Sequence, residues 1–254
     1  MIALWHWKTG WHMMVRAFFL LIFSFAAHLS AAAADDVLAI NTSNSPPYAN
    51  DQGTGFQDLL VKEAFRRIGK RVTFHSVQTE RALVNVDQGI DDGNLVRISG
   101  LTELYPNIRM VPEKLFDYEF VVFARKHFFQ PQGWQSLKPY RVSFIRGWKI
   151  LEKNVTESRA IIKATDEESL FHLLASGQVD LIIFERRRGE HLLGTRGLDG
   201  VKVLEPPLSR REMFLYLHKR HEALIPELAN VLLGMKQDGT YEEISGKALG
   251  TIAQ

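Results

Sequence analysis

The feature that most limits how this chain can fold is an alternation of β-forming runs and helical stretches that occurs twice. Val37–Ile40 is a short β-like run, followed by a polar, proline-bearing loop over 41–54. A helical stretch over 56–68 comes next, in which Phe56, Leu60, Ala64 and Ile68 recur every four residues as one apolar stripe. Gly69 stops that helix. Residues 71–77 alternate and carry two valines, the pattern of a strand, and 80–87 reads as a second helix. The same grammar returns with a strand over 140–145, a helix opened by a Thr165/Glu168 capping box and ended at Gly177, and an apolar strand over 179–184. A last helix is expected over 226–235, with Pro226 in its first turn and Leu228, Val231, Leu232 and Met235 on its apolar face. Such alternation predicts an α/β fold with mainly parallel sheets.

Two further β-forming runs, Phe120–Ala124 and Met213–Leu217, are each followed by charge, and about 85 residues with their own strand–helix pattern lie between them. A chain that leaves one lobe, builds a second and returns has this layout. We therefore expect two lobes, each a mainly parallel sheet flanked by helices, joined by a two-strand hinge. Residues 35–124 and 211–254 form the first lobe in this reading, and 125–210 the second.

The first 34 residues read as an export signal. Arg16 precedes an apolar run of about eleven residues, Ala17–Ala27, and Ala32 and Ala34 give an A-x-A cleavage pattern before Asp35. The run falls short of the roughly 20 residues a membrane-spanning helix needs, although a retained anchor stays open as a second reading. The stretch MIALWHWKTGWHMM before it is unlike an n-region, and a start at Met13 or Met14 is expected. The chain has no cysteine, hence no disulfide framework and no lipid-acceptor thiol. A monomer free in the periplasm is the expectation. A formal net charge of +2 leaves no electrostatic footprint for nucleic acid. No phosphate loop, G-x-S-x-G elbow or H-E-x-x-H helix is present, so no catalysis, cofactor or metal is expected. His218 and His221 could share a helix face, but no third ligand stands near them in sequence.

An internal echo carries the functional reading. Gly89-Ile-Asp-Asp92 and Gly177-Gln-Val-Asp180 share the pattern G-x-x-D after a predicted helix. Five residues beyond each aspartate stands a charge, Arg97 in the first copy and Glu185 in the second. If a strand intervenes, both charges lie near its C-terminal end, where open α/β sheets bind ligands. One lobe would offer a cation and the other a carboxylate, which together suit a zwitterion. Each has a plainer alternative: Arg97 as a surface charge, Glu185 as an i to i+3 ion-pair partner of Arg186–Arg188.

Across nearly all of the mature chain, these motifs resemble the type II periplasmic solute-binding proteins, in particular the polar amino-acid receptors of ABC transporters (family 3 extracellular solute-binding proteins). The resemblance rests on Pro46-Pro47-Tyr48, Gly55-Phe56, the two helix–G-x-x-D–strand units and the closing helix, Asp-Gly and short helix over 228–244. It implies a receptor that closes on a small solute and delivers it to an inner-membrane ABC permease. It also implies roles: Tyr48 stacking on the ligand, Glu185 holding its ammonium, and the backbone around Gly147 capping its carboxylate, with Trp148 over the pocket or in a core. One departure stands out. The family's carboxylate-binding arginine, downstream of a threonine, is missing; Leu104 occupies its place counted from Thr102, and Arg97 is the available substitute. A sensory receptor signalling to a membrane partner, and a small-molecule lyase or dehydratase on the same fold, remain open alternatives.

Overall fold

The computed structural model describes residues 37–77 and 79–250. The expected export signal over 1–34 lies outside the described residues. Among the described residues no helix is long and apolar enough to cross a membrane.

The first half of the chain lays down β1 (Val37–Thr42), α1 (Phe56–Arg67), β2 (Arg71–Ser76), α2 (Thr79–Asp87), β3 (Gly93–Arg97) and β4 (Ile108–Met110). The next part supplies β5 (Phe116–Ala124), β6 (Arg141–Ile145), α3 (Lys149–Asn154), β7 (Ala160–Ala164), α4 (Glu167–Ala175), β8 (Leu181–Glu185) and α5 (Arg186–Arg196). The long β9 (Lys202–His218) then leads into α6 (Ile225–Gln237) and α7 (Thr240–Leu249). The strands run in the order β2-β1-β3-β9-β5-β8-β6-β7, with β4 also on β9. Pairing is parallel for β1/β3, β6/β7 and β6/β8, and antiparallel wherever β5 or β9 takes part.

Four apolar clusters follow from the period of two along these strands. Leu215 and Leu217 of β9 join Ile40, Phe56, Leu60 and Leu228 on one face, while Phe214 and Tyr216 join Leu83, Val86 and Ile108 on the other. In the other half of the sheet, Val122 and Ala124 of β5 side with Leu181 and Ile183, and Val121 and Phe123 with Ile182 and Phe184. A sheet covered on both faces must be apolar on both, which is why 181–184 and 120–124 read as unbroken apolar runs.

The strands β5 and β9 carry the chain between these cores. Phe120–Ala124 and Met213–Leu217 are interior strand segments. The chain passes from one pair of cores to the other along Phe116–Phe120, paired antiparallel with Ser209–Met213. Phe116 and Met213 belong to one core, Phe120 to the next, and Tyr118 packs against both. Between Phe120 and Val122 the register on β9 jumps from Ser209 to Leu204, a bulge beside the crossing.

The G-x-x-D echo has a structural cause. The Asp92 N–H donates to the Ala39 carbonyl of β1, and its carboxylate accepts the Ala39 N–H, both at 2.8 Å. Asp180 does the same to Arg141 of β6, again at 2.8 Å both ways. Each aspartate thus pins the start of its strand to the parallel neighbour and fixes register. Another motif shifts by one residue: α4 is capped by Asp166, which accepts the Ser169 N–H at 2.8 Å, rather than by Thr165. The carboxylate is a stronger acceptor than the hydroxyl beside it.

Candidate functional site

Each candidate residue is placed by local chemistry. The loop before α1 is held by that helix's own N-terminus, because Phe56 and Gln57 donate their N–H groups to the carbonyls of Pro47 and Tyr48 at 3.1 and 2.8 Å. These would otherwise be orphan donors. Gly55 permits the approach, since a Cβ there would sit 2.3 Å from the Tyr48 carbonyl oxygen. Asp58 closes the turn by accepting the N–H groups of Asn50 and Gly55 at 3.1 and 3.2 Å.

Tyr48 is therefore fixed, and its ring lies in the core, stacked on Phe116 at 4.7 Å with 6° between planes. The hydroxyl is what reaches outward: it donates to Glu185 Oε1 at 2.9 Å. Glu185 ends β8, is buried, and accepts the Arg188 N–H on its other oxygen at 3.0 Å. It is the N-cap of α5, and the expected ion pair with the following arginines is not what holds it. Arg186 instead binds Glu119 and Glu205, and Arg188 binds Glu167. Burial pushes the Glu185 carboxyl up to about 7, against the pull of those N–H groups and of Tyr48. Burial likewise raises the Tyr48 phenol well above its ordinary range, and Glu185 adds to the shift.

Arg97 ends β3, as Glu185 ends β8, and is half-buried. Burial lowers its guanidinium to about 10, and Tyr118 and Tyr105 oppose the shift. The residue before it, Val96, has φ of 59°, rare for a β-branched side chain. The register of β3 on β9 slips between Asn94 and Arg97, so Val96 sits in a bulge. Bulges of this kind re-aim the next side chain.

Trp148 and Gly147 follow β6. Trp148 stacks on Phe184 at 5.1 Å and meets Phe120 edge-on at 5.7 Å. Gly147 is exposed with φ of 87°, and its N–H donates to Glu152 Oε1 at 3.2 Å. The backbone donor expected for a ligand carboxylate is thus engaged within the chain. Leu104, at the place where the resemblance implies an arginine, is 75% exposed.

Two residues escaped the sequence reading. Tyr118, on the crossing strand, feels Arg188, Arg97 and Glu185 at once; burial raises its phenol, Glu185 adds, and the two arginines oppose. It joins Arg97 and Glu185 in one electrostatic neighbourhood. Arg188 lies over the rings of Phe184 and Trp148, at 5.2 and 5.5 Å. The alternation Phe116-Asp-Tyr-Glu-Phe120, aromatic on one face and acidic on the other, was the signal available for Tyr118. A cavity of about 250 Å³ opens beside the Tyr48–Glu185 contact, bounded by Glu119, Arg186, Arg187 and Tyr241. His221 binds Asp92 and His218 accepts the Arg220 N–H, and no group among the described residues could hold a metal ion.

No known family profile matches the chain. An uncharacterised protein of Shewanella oneidensis is 26% identical over 202 residues, covering 75% of each chain. Among solved structures, the GluR0 ligand-binding core from Nostoc punctiforme, in complex with L-glutamate, aligns with a TM-score of 0.67 at 16% identity, over 84% of this chain and all of that one. An ancestral arginine-binding protein bound to glutamine gives 0.66 at 19% identity, over 85% and 99%. The substrate-binding protein of an amino acid ABC transporter gives 0.63 at 16% identity, over 85% and 100%. The chain has the two-lobed fold of type II periplasmic binding proteins.

Proposed function

We propose that this protein is a periplasmic receptor that closes around a small polar or zwitterionic solute, an amino acid or close relative, and delivers it to an ABC-type permease. The observation that carries the reading is the shared neighbourhood of Arg97 and Glu185. Both end a strand, in opposite halves of the sheet, and both act on the phenol of Tyr118. In this reading Arg97 takes the solute's carboxylate and Glu185 its ammonium, Trp148 walls the pocket, and Tyr48 orients Glu185 from the core side. Gly147 contributes the turn that presents Trp148. The lobes move about Phe116–Phe120 and Ser209–Met213, and the solute favours closure to the extent that it binds the closed form better.

The binding proteins that share the fold support a non-catalytic role. A thermal-shift screen of amino acids, opines, polyamines and small carboxylates tests the proposal. A solute at about 100 times its Kd should add roughly 2.7 kcal/mol of stability. A panel in which nothing raises Tm contradicts it. Sensing without transport is the second reading, favoured by the likeness to the GluR0 ligand-binding core. Permease and ATPase genes beside this one would support delivery, and a kinase or cyclase gene would support sensing.

A further inference from the structure

We infer that Arg188 is the anion anchor of the second lobe, and that the solute carries two anionic groups as well as an amine, one anion for Arg97 and one for Arg188. The inference deepens the binding reading above and rests on it.

Arg188 is built in rather than displayed. Its side chain is 18% exposed, it binds Glu167 at the start of α4, and it lies over Phe184 and Trp148. A guanidinium held on an aromatic wall with one edge tied to a carboxylate is pre-organised to present its other edge. The Nε of that group is buried with no hydrogen-bond partner among the described residues. Its backbone N–H meanwhile holds Glu185, which places the cation beside the candidate ammonium acceptor. The guanidinium also acts on the phenols of Tyr118 and Tyr48, the former shared with Arg97. The backbone route to an anion is engaged: Gly147 donates to Glu152, and α3 is only six residues long. A side-chain fork therefore stands in this half where a backbone cap was expected. Two guanidiniums from opposite halves and one carboxylate match a molecule with two negative ends and one positive group, the pattern of an acidic amino acid.

Calorimetric titration of the purified protein with L-glutamate, L-aspartate, L-glutamine and L-asparagine tests this. The native protein should prefer one acid over its own amide by tenfold or more. Arg188→Met should erase that preference while leaving the amide's affinity within about threefold, and Arg188→Lys should keep part of it. Glu167→Gln, which frees the guanidinium, should tighten the acid and leave the amide unchanged; a merely structural pair would weaken both alike. Should Arg188→Met fail to fold, the lysine and Glu167→Gln variants decide. A native protein that takes amides or basic amino acids as tightly as acids overturns the role of Arg188 and leaves the binding reading intact. A native protein stabilised by no amino acid at all removes both.

Discussion

The hydroxyl of Tyr48 donates a 2.9 Å hydrogen bond to Glu185, a residue 137 positions away in the chain. Tyr48 belongs to the core around Phe56 and Phe116, whereas Glu185 ends a strand whose apolar residues fill the other pair of cores. One bond thus ties two halves that share only strands β5 and β9 as continuous chain, and its acceptor is the carboxylate proposed to meet the solute.

Tyr48→Phe removes that bond and keeps the ring on Phe116. Above pH 7, where Glu185 is ionised, a hydrogen bond to it contributes about 1.5–3 kcal/mol, so a loss of that order is expected in urea denaturation on the alkaline side of that value. Small-angle scattering of the solute-free variant should show a larger radius of gyration as closed forms are depopulated. An unchanged radius and midpoint would mean the contact holds nothing together.

Gly55→Ala should be more damaging than its position on a helix start suggests. The added Cβ would meet the Tyr48 carbonyl oxygen at 2.3 Å and the Ala49 Cα at 2.6 Å, both main-chain atoms that cannot swing aside. Overpacking of this kind costs about 1–3 kcal/mol, read from the denaturation midpoint. Solute affinity should fall as well, since Tyr48 moves with its backbone. A variant with native midpoint and affinity would show that the loop has room to retreat.

Glu185 should impose a pH dependence on stability. Unfolded, its carboxyl ionises near 4.5; folded, burial holds the proton until about 7. Between those values the native state binds more protons, so stability falls as pH rises through the window and levels above it, at roughly 1.4 kcal/mol per pK unit. Subtracting the Glu185→Gln stability profile from the native one isolates the slope. A flat difference between pH 4.5 and 7 would contradict the burial of this carboxyl. A solute ammonium favours the carboxylate, so binding near pH 6 should release protons, seen as calorimetric heats that depend on the buffer.

Val96→Gly should cost little for a Val→Gly change inside a strand. Left-handed backbone costs an L-residue about 1–2 kcal/mol, and glycine relieves that at φ of 59°. The relief offsets the lost packing, and a midpoint near native is expected, with weaker solute binding because Arg97 loses its fixed aim. A drop of several kcal/mol would show that the bulge is not strained.

Much of this was legible in the sequence because it depends on local rules. The two G-x-x-D motifs mark strand starts, and a five-residue strand then carries Arg97 and Glu185 to its C-terminal end. Where the chain passes from one pair of cores to the other was not legible, because an apolar run such as 120–124 looks the same whether it crosses between cores or fills one. Tyr48 was expected to stack on the ligand; its ring instead packs on Phe116 and only its hydroxyl reaches Glu185, an arrangement that depends on a helix start and a strand distant in sequence. Arg188 read only as one of three arginines that could pair with Glu185, since its actual surroundings are set by Trp148, Glu167 and Phe184. The Asp166 cap differs from the expected Thr165 by one residue, the usual margin at a helix end.

The decisive measurement is calorimetry of the native protein, Glu185→Gln and Arg97→Met with the tightest-binding solute from the thermal-shift panel. Each variant should lose about 1–3 kcal/mol of binding free energy, the scale of a lost charged partner, and together they should lose less than the sum if one small molecule bridges them. Native affinity in either variant would mean that the solute does not lie between the ends of β3 and β8.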